Sequence, residues 1–132
     1  MSNQPNRLTS AASKSTHSLL VADSYAPIHR LFQRCFKYQF DEVLAAENEQ
    51  DAEQMIQSKD ISHIVISGTI AESAPTAELI ARWRSQYPSI ERVILHTGRA
   101  ISSINCLTEF DGVLSKPSTK NTMEKVVFGD PS

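Results

Sequence analysis

The side chains able to do chemistry stand at the ends of short apolar runs. Asp23 and Ser24 follow Leu19-Leu20-Val21-Ala22. Gly68 and Thr69 follow Ile64-Val65-Ile66-Ser67. Thr97 and Gly98 close Val93-Ile94-Leu95-His96, and Lys116 and Pro117 follow Gly112-Val113-Leu114-Ser115. If the fold gathers these run ends, one carboxylate, one ammonium and a few hydroxyls share one place. Such a set can form an internal ion pair or hold a small anion. The other reactive types fall in unhelpful patterns. His17, His29, His63 and His96 show neither HxxxH nor HExxH spacing, and Cys35 and Cys106 form no CxxC. Zinc sites and redox pairs need those spacings. GxGxxG, P-loop and GxSxG motifs are also missing, so a nucleotide enzyme or a serine hydrolase finds no support.

The frame that must position these residues is modest. The chain has 132 residues, 40% hydrophobic and 21% charged, with a formal charge of -2. That is one domain with enough chain to bury a core. Thirteen Lys and Arg against fifteen Asp and Glu argue against a strongly basic nucleic-acid binder. No apolar run approaches the roughly 20 residues a membrane helix needs. The amino-terminal stretch has Arg7 and Lys14 but no apolar core of a secretory signal. A reducing, cytoplasmic setting is expected, with both thiols as packing groups. Residues 1–16 are rich in Ser, Thr, Asn and Gln and read as a flexible tail. Residues 17–128 read as the domain, and 129–132 as a short carboxyl-terminal tail.

From residue 18 the pattern alternates. Ser18-Leu19-Leu20-Val21-Ala22 is apolar on both strand faces, as an interior parallel strand requires. Ile28, Leu31, Phe32, Cys35 and Phe36 follow at helical spacing, with Pro27 in the first turn. Glu42-Val43-Leu44-Ala45-Ala46 is a second strand. Asn48 caps the next helix, Glu49 and Asp51 suit its positive end, and Ala52, Met55 and Ile56 form its apolar face. His63-Ile64-Val65-Ile66-Ser67 is the third strand. A helix opening at Pro75 or Thr76 carries Ala77, Leu79, Ile80 and Trp83, with Trp83 in the core, and ends at Tyr87-Pro88. Arg92-Val93-Ile94-Leu95-His96-Thr97 is the fourth strand, and Ile101, Ile104 and Leu107 mark a short helix. Gly112-Val113-Leu114-Ser115 is the fifth strand, and Met123, Val126 and Val127 lie on a last helix stopping before Gly129.

Five strand–helix units in series imply an α/β domain: a flavodoxin-like (βα)5 doubly wound parallel sheet with strand order 2-1-3-4-5. The functional crevice of such a sheet lies beyond the carboxyl ends of its strands. The run ends noted first are therefore brought together.

In this order and spacing the runs resemble the receiver domain of response regulators, the CheY-like family. Leu19-Leu20-Val21-Ala22-Asp23-Ser24 is similar to its first strand and acidic pair, and Ala46 to Ala52 to the stretch after its second strand. His63-Ile64-Val65-Ile66 with Gly68 falls on the third strand and phosphoacceptor. Val93-Ile94-Leu95-His96-Thr97-Gly98 falls on the fourth strand and its switch hydroxyl, and Val113-Leu114-Ser115-Lys116-Pro117 on the fifth strand and its Lys-Pro. The resemblance implies a phosphorelay role. In that family an Asp after the third strand takes a phosphoryl group while acids after the first strand help hold Mg²⁺, which screens an anionic nucleophile from an anionic donor.

Carried over position by position, Asp23, Thr97 and Lys116 match. Ser24 stands at the second acid and Gly68 at the phosphoacceptor, and glycine has no atom to phosphorylate. Glu72, in the loop four residues on, is the nearest downstream acid. A complete site carries three carboxylates and one ammonium. Here only Asp23 and Lys116 remain, so they are expected to pair with each other and to hold Mg²⁺ weakly or not at all. Val113 takes the place of the aromatic that reports phosphorylation in the family. The segment between Thr97 and Lys116 is shorter than usual, so its helix should be shortened. The resulting expectation is a degenerate, stand-alone pseudo-receiver pocket (Asp23, Ser24, Gly68, Thr97, Lys116) with no cofactor and no enzymatic activity. It would act by contact with a signalling protein or a second copy of itself, with no nucleic acid and no membrane. A regulator using a rearranged acid and a small-anion sensor on the same scaffold are the alternatives. Arg30, Arg34 and Lys37 line one side of the first helix as a solvated face.

Overall fold

A computed structural model describes residues 18–73, 75–98, 109–116 and 118–129. The elements are β1 (Ser18–Ala22), α1 (Ala26–Phe36), β2 (Glu42–Ala46), α2 (Glu49–Ser58), β3 (Ile61–Ser67), α3 (Thr76–Gln86), β4 (Arg92–Thr97), β5 (Gly112–Ser115) and α4 (Lys120–Phe128). The strands form one parallel sheet in the order β2-β1-β3-β4-β5. This is the predicted flavodoxin-like doubly wound order. β1 and β3 are interior and almost wholly buried, which is why their sequences are apolar on both faces.

Strand alternation divides the core in two. Leu20, Ala22, Ile64 and Ile66 point to one face and pack with Ala52 and Ile56 of α2 and Leu79, Ile80 and Trp83 of α3. Leu19, Val21, Val65 and Ile94 point to the other and meet Phe32 and Phe36 of α1 and Met123 and Val127 of α4. Trp83 is a core residue, as its helical spacing predicts. Ala77 is only half-buried, and Leu79 takes the inward place beside Ile80.

Local chemistry sets the element ends. The Asn48 side chain accepts the Asp51 N–H at 2.8 Å at the start of α2. Pro sits in the first turn of α1. Thr119 caps α4 by accepting the Thr122 N–H at 3.2 Å. Gly129 ends that helix with φ of 80°, a left-handed conformation that favours glycine. Arg92 covers this end, its Nε and Nη2 donating to the Val126 carbonyl at 3.1 and 2.8 Å. β3 begins at Ile61, two residues before the predicted start at His63. Ile61 is fully buried and Ser62 Oγ donates to the Ser18 carbonyl at 3.3 Å, so tertiary contacts extend the strand.

The chain enters β5 through a polar knot. Asp111 accepts the Val93 N–H at 2.7 Å and the Arg84 Nη2 at 2.5 Å, and its own N–H donates to the Val93 carbonyl at 2.8 Å. Burial would push the Asp111 carboxyl up, but these donors and the nearby Arg84 and Arg92 charges hold it below the usual range. The short helix expected at Ile101, Ile104 and Leu107, the tails at residues 1–16 and 130–132, and Cys106 and Pro117 lie outside the described residues. Among the described residues, no helix is long and apolar enough to cross a membrane.

Candidate functional site

The carboxyl ends of β1, β3, β4 and β5 bring the predicted residues to one edge of the sheet. Asp23 follows β1. Its N–H donates to the Ala46 carbonyl at 3.0 Å, continuing the pairing with β2. Its Oδ1 accepts the Tyr25 N–H at 2.9 Å, a local turn that aspartate favours. Its Oδ2 receives Lys116 Nζ at 3.1 Å. The Lys116 N–H donates to the Thr97 carbonyl at 2.8 Å, so β4 positions the lysine that follows β5. The Asp23 side chain is 4% exposed and that of Lys116 31%. The acid is thus buried and its partner reaches it from the rim.

Gly68 directly follows β3 and is exposed. Nothing lies within 4 Å of where its Cβ would be, and its backbone is outside the left-handed region. Space and backbone both admit a side chain there. Its carbonyl accepts the Thr76 hydroxyl at 3.3 Å, which ties the start of α3 back to β3. Ser67 and Thr69 hydroxyls lie 3.0 Å apart beside it. Thr97 is buried at the end of β4, while Ser24 is exposed in the turn after Asp23.

Two histidines line the α1 side of this edge. His29 is buried on α1, with Nε2 2.6 Å from the Asp23 carbonyl. With a carbonyl as acceptor, Nε2 carries the proton. His96 in β4 is 3% exposed and sits edge-on to Phe32, ring centroids 5.3 Å apart. Its Nδ1 is buried without a hydrogen-bond partner. Burial first, and then the Lys116 charge, push its pKa down to about 4 despite the opposing pull of Asp23. The ring is neutral at physiological pH.

Mg²⁺ needs several oxygen ligands, mostly carboxylate and water. At these strand ends Asp23 is the one predicted acid, and both its oxygens already accept protons from Tyr25 and Lys116. Among the described residues, no group of three or more His, Cys, Asp and Glu could hold a metal ion. The described residues at these strand ends do not fit a divalent cation.

One residue at this end has a part that spacing did not predict. Glu49 suits the positive end of α2, yet its carboxylate turns inward and is nearly buried. It accepts the N–H groups of Glu72 and Ser73 at 2.6 and 3.0 Å and the Ser73 hydroxyl at 2.5 Å. No local signal marks a contact across 23 and 24 residues. The four-residue gap from Gly68 to Glu72 showed only that an acid was near; Glu72 itself is exposed.

No family model matches this sequence, and no curated protein matches it either. Solved structures do. The chain superposes on the signal receiver domain of an HD domain-containing protein from Pseudomonas fluorescens Pf-5 with a TM-score of 0.74, at 22% identity, covering 92% of this chain and 91% of that one. The chain has the receiver-domain fold. The chemotaxis response regulator CheY4 of Vibrio cholerae matches this receiver fold with a TM-score of 0.72 at 18% identity, over 87% of this chain and 98% of that one. A response regulator from Thermotoga maritima matches with 0.72 at 20% identity, over 86% and 99%.

Proposed function

We propose that this protein is a receiver-type module of two-component signalling that works by protein–protein contact without being phosphorylated. The observation that carries the reading is Gly68. It stands directly after β3, where the resemblance places the phosphoacceptor, and it offers no oxygen to a phosphoryl donor. The pairing of Lys116 with Asp23 supports it. In a receiver site those two groups serve a phosphoryl group and a metal ion, and here each is already satisfied by the other.

On this reading Asp23, Thr97 and Lys116 support the shape of the strand ends and catalyse nothing. Output passes to a signalling protein, or to a second copy of the chain, by surface contact in the cytoplasm. Nucleic acid and membrane have no part in it.

The test is incubation with acetyl phosphate and Mg²⁺, followed by the intact mass. The expected mass is unchanged. A gain of one phosphoryl group, lost in alkali, would show that a rearranged acid such as Glu72 accepts it, and the proposal would fail. A reproducible thermal shift with inorganic phosphate, abolished by Lys116→Ala, would instead favour an anion sensor at the same strand ends.

A further inference from the structure

The loop between β3 and α3 leaves the sheet at Gly68, and its far half is gripped from α2. One oxygen of Glu49 takes two successive backbone N–H groups, Glu72 at 2.6 Å and Ser73 at 3.0 Å, and the other takes the Ser73 hydroxyl at 2.5 Å. Arg82 of α3 stands behind, its Nη2 3.8 Å from Glu49 Oε2 and 3.2 Å from Glu53 Oε1. The carboxylate therefore joins three elements: α2, the loop and α3. At the near end, the Thr76 hydroxyl holds the Gly68 carbonyl and the Ile70 N–H donates to the Ser67 carbonyl at 3.2 Å.

We propose that Glu49 is a positioning residue that clasps the β3–α3 loop in one conformation, giving the strand-end face a fixed shape that no phosphoryl group at position 68 is needed to set. Charge-assisted bonds to backbone N–H groups are stronger than neutral ones, and two donors on one oxygen fix direction as well as distance. The groups facing Glu49 are Glu53 on its own helix, Glu72 and Ser73 in the loop, and Arg82 on α3. Burial would raise the Glu49 carboxyl, but the Ser73 hydroxyl, the two N–H groups and Arg82 outweigh it and hold it below the ordinary glutamate range. The clasp is thus charged and closed at physiological pH. The inference rests on the contact-module reading for its meaning, since a fixed face is what such a module presents.

Amide hydrogen exchange on the full chain at neutral pH tests it. In the unaltered protein the Glu72 and Ser73 amides should exchange at least about tenfold more slowly than unstructured amides. In Glu49→Gln both should accelerate about tenfold or more while Leu20 in β1 stays protected. Ser73→Ala, which leaves both backbone bonds in place, should shift them less. Free exchange of both amides in the unaltered protein overturns the clasp without any variant, and so does unchanged exchange in Glu49→Gln. These outcomes are separate from the phosphorylation assay: a phosphoryl gain sinks the contact-module reading and leaves the clasp standing.

Discussion

Asp23 and Glu49 are both acids buried at the carboxyl ends of the sheet, and their partners differ in kind. Asp23 meets a lysine 93 residues away whose ammonium is partly in water, plus one N–H of its own turn. Glu49 meets backbone N–H groups and a hydroxyl of a neighbouring loop, with an arginine behind. At the end of the neighbouring strand β3, Gly68 leaves open space. Around Glu49 donors converge. In one region a carboxylate and an ammonium from distant parts of the chain satisfy each other. The other uses a carboxylate to set the course of the chain. Burial alone does not make an acid a reactive group: what its donors belong to decides its part.

The sharpest break of this contrast is Lys116→Ala. It leaves the Asp23 carboxylate buried with only the Tyr25 N–H, and should cost about 2–3 kcal/mol, less than a fully buried pair because the ammonium is partly hydrated. Asp23→Asn should cost less, since the freed lysine can turn to solvent. Chemical denaturation measures both, and the reverse order would mean the pair is held from the lysine side.

Next comes His96, behind the Asp23 region. Its pKa of about 4 lies below the unfolded value, so the unfolded chain binds the proton first as pH falls. Its effect is nil above about pH 7 and grows unfavourable between there and pH 4, on the order of 2 kcal/mol near pH 5. His96→Phe should flatten that part of the stability–pH curve. An unchanged curve would place the titration elsewhere.

Glu49→Gln should cost about 1–2 kcal/mol, because an amide still accepts but loses the charge-assisted part. Its carboxyl is held low in the fold, so its contribution is complete above the ordinary glutamate pKa. It is lost as pH falls through the depressed folded value. Stability of the variant should therefore decline less in that acid window, as acid titration followed by circular dichroism would show.

The smallest change is Gly68→Asp. Open space and an ordinary backbone allow the side chain, so stability should stay within about 1 kcal/mol. Adding Ser24→Asp brings the carboxylates at these strand ends to three, and on the contact-module reading a thermal shift with Mg²⁺ should emerge only in that double variant. A Mg²⁺ shift in the unaltered chain would erase the contrast between the two regions.

The sequence by itself determined the strands and their order. β1, β2, β4 and β5 have the bounds their apolar runs predict: the interior strands β1 and β4 are buried on both faces, the edge strands β2 and β5 less so, and each ends where its apolar run gives way to polar residues or glycine. It also determined that the strand ends followed by Asp23, Gly68 and Lys116 and closed by Thr97 lie along one edge of the sheet, since parallel strands alternating with helices all turn their carboxyl ends the same way. Only the tertiary structure decided the early start of β3, the inward turn of Glu49, the grip of Arg84 on Asp111 and the unpartnered nitrogen of His96. Each depends on what the rest of the chain brings up to a group, or fails to bring. Periodicity records which face of an element is buried, and it carries no record of which distant donor meets a given oxygen there.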